Sequence, residues 1–249
     1  MKTTENRSLT KQPPTTNSIH LTPSLAWRNA IGITMLGCLI LGLGNFVLLA
    51  EYLARTTTLV TGALLLSVSF AMSFALILAL IILWQRAHGE TLKDLGWGWP
   101  SRGIAISLSI VLGLGWTGFS YSGAAYLLPS TDFFEISWIR IVMVVLGIII
   151  STTEEIMMRG FFMTQLQRGG IPTWIQIVAS GACSALYHSL NNLSLMNFVP
   201  SFVLFTAMAG IFVLGKRSIT STAIGHSLIH VLGDPYLTML ILAVVAQGL

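Results

Sequence analysis

Long apolar stretches separated by short polar connections dominate the chain. Runs able to cross a bilayer, at roughly 20 residues per helical crossing, occupy positions 30–50, 59–84, 104–128 and 138–163. Shorter or more polar runs follow at 173–190, 198–214, 219–233 and 236–248. The third of these contains Ser, Thr and His, and reads as a helix packed inside a bundle. The pattern predicts an all-α fold, a polytopic membrane helix bundle with about eight transmembrane helices. Residues 1–29 are polar and rich in Thr, Ser and Pro, and read as a disordered cytoplasmic tail. Residues 30–249 then form a single transmembrane domain, because every connection is too short for another folded unit.

Basic residues orient these runs. Lys2, Arg7, Lys11 and Arg28 precede the first, Arg86, Lys93 and Arg102 follow the second, Arg168 follows the fourth, and Lys216 with Arg217 follows the sixth. The alternate connections hold only Arg55 and Arg140. Lys and Arg concentrate in cytoplasmic loops, so this asymmetry predicts cytoplasmic N and C termini. Composition agrees: 54% of residues are hydrophobic and 9% charged, against about a quarter charged in soluble domains. The net charge of +4 is topological; the bases form no patch with interleaved aromatics, so nucleic acid is excluded as a partner. An integral, multi-pass protein of the cell membrane is expected, with lipid as its immediate partner. Cys38 and Cys183 are too isolated for a disulfide framework or a thiolate metal site. The segment Thr91–Pro100, with Trp97 and Trp99, reads as an interfacial turn with aromatic anchors; a gate over a substrate entrance is the alternative.

The chemistry lies where the polar residues interrupt the apolar runs. Glu154, Glu155 and Arg159 fall inside the fourth run, although each ionisable group at the centre of a membrane helix costs about 2.5–3.5 kcal/mol. Glu155 and Arg159 are four apart, in the favoured order for an ion pair on one helical face. Glu154 points about 100° away around the helix and has no partner in its own helix, so it needs one elsewhere. His226 and His230 are also four apart, on the seventh run, and His188 closes the fifth, ahead of Asn191 and Asn192. If the three faces meet, a carboxylate beside an imidazole can deprotonate water, and further imidazoles can stabilise an oxyanion. The blander alternatives are a packing ion pair for Glu155 and Arg159 and an interhelical hydrogen bond for His188. A zinc ion on Glu154, His188, His226 and His230 is another alternative, but the HExxH signature is absent; no cofactor is expected.

These motifs resemble the CAAX protease and bacteriocin-processing family of intramembrane endopeptidases, which carries EExxxR, then FxxxH, then HxxxN on successive helices. Glu154, Glu155 and Arg159 match the first motif. His188 matches the second, with Ser184 in place of Phe; His226 matches the third, with His230 in place of Asn. The Asp94–Trp97 segment also looks like the family's pre-core sequence, and the resemblance spans about residues 90–233. It implies that Glu154 with His188 activates water against a peptide bond, near the cytoplasmic face and without a covalent intermediate. Glu155 with Arg159 would shape the site, while His226 and His230 would hold the oxyanion. The implied substrate is a membrane-associated peptide or lipidated protein, prenylated or leader-bearing. A non-catalytic scaffold or bacteriocin-immunity protein of the same fold is the alternative, and a proton-coupled carrier the third.

Overall fold

The computed structural model describes residues 20–98, 100–190 and 195–248, with side chains omitted at 195–197. Most of the N-terminal tail, Trp99, Asn191 and Asn192 lie outside the described residues. Among the described residues, eight helices make up the architecture: α1 (Pro23–Thr56), α2 (Leu59–Ala87), α3 (Gly103–Leu127), α4 (Trp138–Arg168), α5 (Thr173–His188), α6 (Leu195–Leu214), α7 (Ile219–Gly233) and α8 (Tyr236–Gln247). The first four are long and apolar enough to cross a membrane alone. α7 and α8 pass that test only together and are bent by 70° at their junction.

α1 begins earlier than hydropathy indicates, which moves the boundary of the expected tail from 29 back to Thr22. The Thr22 hydroxyl accepts the Leu25 N–H at 3.3 Å and Pro23 occupies the first turn, a favoured start for a helix. Ala26 and Ala30 are fully buried on one face. Arg28 and Asn29 lower the local hydropathy without interrupting the helix, and Asn29 donates to Gln165 at 3.0 Å.

Small residues allow close helix approach, as in other membrane bundles. A side chain at Gly113 would strike the Gly225 carbonyl at 2.5 Å, and one at Gly181 would strike the Thr206 backbone at 2.9 Å. These contacts press α3 onto α7 and α5 onto α6. Within α4 the backbone widens from α to π geometry over Ile156–Phe162, immediately after the paired glutamates. Such segments recur at functional sites.

Contacts between connections show that the alternating loops occupy two ends of the bundle. At the end rich in bases, Arg168 pairs with Glu90 at 2.9 Å and receives the Leu21 N–H on its carbonyl at 3.1 Å. The Ile219 N–H reaches the Gly96 carbonyl at 3.2 Å, and Arg217 donates to Gln176 at 2.6 Å. Burial lowers the Arg217 guanidinium to about 10, still charged at neutral pH. At the other end, Arg140 and Tyr121 both donate to the Leu232 carbonyl, and Tyr236 donates to that of Asp132. Of the Thr91–Pro100 segment, residues 91–98 form a docked turn. Thr91 and Asp94 form a capping box, Gly96 adopts φ +90°, and Leu95 is buried while Trp97 stays exposed. Gly96 packs so closely on the Arg217 carbonyl that a side chain would not fit.

Candidate functional site

α4, α5 and α7 bring the sequence-designated residues together. Glu154 is 2% exposed, and Glu155 and Arg159 are fully buried, so all three charges must be satisfied inside the bundle. Glu155 Oε2 lies 3.3 Å from Arg159 Nε. The guanidinium also donates to the Phe205 carbonyl at 3.2 Å and to Ser184 Oγ at 3.5 Å, and stands 5.2 Å from the Phe205 ring centroid. The expected ion pair is present, but it is not self-contained, because Glu155 Oε1 also accepts from His226 Nδ1 at 2.9 Å.

Glu154 has a partner that sequence spacing did not reveal. Tyr187, fully buried on α5, donates its hydroxyl to Glu154 Oε1 at 2.5 Å. The other oxygen, Oε2, faces two imidazoles, with His188 Nε2 at 3.8 Å and His226 Nε2 at 3.9 Å. These gaps exceed a direct hydrogen bond and fall in the range where a bridging water is the natural link.

The partners of the three rings assign their protons. His188 Nδ1 faces the Ser184 carbonyl at 2.8 Å, which can only accept, so Nδ1 carries the hydrogen. His226 Nδ1 faces Glu155, and His230 Nδ1 faces Asp234 Oδ2 at 2.9 Å. All three Nδ1–H groups are therefore used by the protein. In the neutral rings Nε2 is an acceptor, and Glu154 Oε2 faces two such nitrogens. A molecule that donates two hydrogens, as water does, can satisfy Oε2 and one of these two nitrogens. With Nδ1–H facing a carboxylate, His226 and His230 can each donate from Nε2 only as an imidazolium.

The departure at position 184 also has a structural answer. Ser184 is buried, meets Arg159 and orients His188 through its carbonyl. Aromatic support for His188 comes instead from Phe46, Tyr187 and Phe205, with ring centroids 5.5, 4.5 and 4.6 Å away. Asp234, at the C-terminal end of α7, is the partner of His230. Its other oxygen is buried without a hydrogen bond.

Glu154, Tyr187, His188, His226, His230 and Asp234 line one cavity of about 480 Å³. Its walls are largely aromatic and aliphatic, with hydroxyls from Ser67, Ser120 and Thr238. Among the described residues, no group of three or more His, Cys, Asp and Glu side chains forms a cluster able to hold a metal ion.

Residues 136–232 match the family model described as Type II CAAX prenyl endopeptidase Rce1-like. This segment is similar to the Rce1-like family. No curated protein and no solved structure matches the chain. The Rce1-like segment contains α4 to α7 up to Leu232, and hence every site residue named from the sequence. Asp234, Phe46 and the cavity walls supplied by α1, α2, α3 and α8 lie outside it. The all-helical membrane architecture and the CAAX-protease resemblance therefore stand on separate observations: the helices on the fold, the resemblance on the matched segment.

Proposed function

We propose that the protein is an intramembrane endopeptidase that hydrolyses a peptide bond of a membrane-associated substrate with water activated by Glu154. The observation that carries this reading is the convergence of His188 Nε2 and His226 Nε2 on one oxygen of a buried glutamate at 3.8 and 3.9 Å. Tyr187 holds the other oxygen, so the carboxylate presents Oε2 to the cavity.

In this mechanism a water donates to Glu154 Oε2 and to His188 Nε2. Glu154 takes one proton as the oxygen attacks the peptide carbonyl, which becomes a tetrahedral oxyanion. His226 and His230 as imidazoliums would donate to that oxyanion from Nε2, with Glu155 and Asp234 compensating their charge. On collapse, the C–N bond breaks and the proton held by Glu154 passes to the leaving amine. Arg159 fixes Glu155, and through it the His226 ring. No serine or cysteine is placed beside a base as a nucleophile in this scheme.

The test is cleavage of membrane-associated peptides, prenylated and unprenylated, by the purified protein, wild type against Glu154→Gln. Loss of cleavage in the variant, together with retained folding, is the expected result. Cleavage untouched by the substitution removes Glu154 as the base. Cleavage abolished by a chelator and restored by zinc replaces the metal-free scheme with a metal-dependent one.

A further inference from the structure

α1 to α7 line the cavity with residues from their middles and from the halves nearer one end of the bundle. α2 contributes Ser67 and Phe70 from its first half, α3 Ser120 and Ser122 from its second, and α7 His230 with the adjoining Asp234. These are the halves toward Arg55 and Arg140, the end poor in bases. Ser122 and Phe119 line the cavity and are exposed.

The other end is closed. Beyond Glu155, Met157, Met158, Phe161 and Phe162 of α4 are buried. Gly160 allows the docked turn to sit directly on α4, since a side chain there would meet Ile219 at 2.9 Å and Leu95 at 3.3 Å. Apolar packing thus separates the paired glutamates from the base-rich end.

α8 follows the same asymmetry. Thr238 meets Ser67 at 3.2 Å, and four residues later Leu242 lies against Gly62, so the helix runs toward the start of α2. Its 12 residues measure about 18 Å, short of the roughly 30 Å hydrocarbon core.

We propose that the site opens to the base-poor face, which is the extracytoplasmic one, and that its substrate is a peptide segment presented from that side or from the outer half of the bilayer. This reverses the cytoplasmic entry expected from the sequence. α8 completes the cavity wall without returning across the bilayer, which puts the C-terminus on the same face as the entrance. The word substrate rests on the proteolytic reading; the sidedness does not.

Sided cysteine labelling tests the proposal on the full chain in bacterial spheroplasts, in a Cys38→Ser/Cys183→Ser background. Ser122→Cys and Ser201→Cys report on the cavity wall, Gln247→Cys on the end of α8, and Lys93→Cys on the base-rich face. A membrane-impermeant maleimide added outside is expected to add a single label to the first three in intact spheroplasts, and to Lys93→Cys only after permeabilisation. Labelling of Ser122→Cys and Lys93→Cys from the same side overturns the proposal, as does a Ser122→Cys that stays unlabelled after permeabilisation. Gln247→Cys reads sidedness away from the cavity if the wall variants fail to insert; labelling only after permeabilisation overturns the C-terminal assignment. Catalysis is not needed for any of these readouts, so a failed cleavage assay leaves them intact.

Discussion

Replacing Tyr187 with Phe deletes one hydroxyl and leaves a fully buried ring in place. The ring's packing against His188, at 4.5 Å between centroids, is retained, so the perturbation falls chiefly on the 2.5 Å hydrogen bond to Glu154, and the double-variant cycle separates that bond from the hydroxyl's contact with Ser184. A hydrogen bond to a charged group contributes about 1.5–3 kcal/mol, against about 0.5–1.5 for a neutral pair. The expected loss of stability is therefore about 1.5–3 kcal/mol in the wild-type background and about 0.5–1.5 after Glu154→Gln, a coupling of roughly 1 kcal/mol or more. Equilibrium unfolding of the four proteins in a mild detergent with added denaturing surfactant measures the cycle. Cleavage provides a second readout, since an unanchored carboxylate presents Oε2 less often to water. The turnover number of Tyr187→Phe is expected to fall by about tenfold or more, each tenfold being about 1.4 kcal/mol, with KM little changed. A coupling within error of zero would refute the assignment of Tyr187 as the holder of an ionised Glu154. So would a variant that matches wild type in both stability and turnover.

Three further outcomes follow from the same contacts. Arg159→Met leaves Glu155 buried without its cation and is expected to destabilise by about 3–5 kcal/mol, measured by thermal unfolding in detergent; Arg159→Lys, which keeps charge but loses the planar fork that reaches both the Phe205 carbonyl and Ser184, should fall between it and wild type. His230→Asn restores the residue type of the family motif but strands Asp234, so its unfolding temperature should fall and recover in the His230→Asn/Asp234→Asn double variant. Gly147→Ala would push a methyl group into Asp234 and against the His230 ring at 2.8 Å; overpacking of this kind costs about 1–3 kcal/mol, and an unchanged melting temperature would contradict the tight α4–α7 contact.

Much of the architecture was legible because a bilayer imposes coarse requirements. Apolar length and loop charge are properties of contiguous residues, so the helices fall close to the expected runs, with α1 as the exception. There, Arg28 and Asn29 mask a start that Thr22 and Pro23 set locally. Glu154, Glu155, Arg159, His188 and His226 were conspicuous because charge inside an apolar run has a high desolvation cost. Tyr187 was not, since a tyrosine in a membrane helix has an ordinary apolar reading and only its approach to α4 gives the hydroxyl a role.

By itself, then, the sequence determined an all-helical membrane protein with its ionisable residues inside, and divided the charges of α4 by their angular positions. The tertiary structure decided which groups pair. Glu155 serves Arg159 and His226 together, Glu154 is held by Tyr187 and turned toward two imidazoles, and Asp234 claims His230. It also decided that the cavity lies in the base-poor half while Leu95 and Ile219 seal the other. Helical periodicity fixes where a side chain points around its own axis. The rotation and depth at which helices meet depend on contacts such as Gly113 on Gly225 and on the π segment of α4, and these arise only when distant parts of the chain pack together.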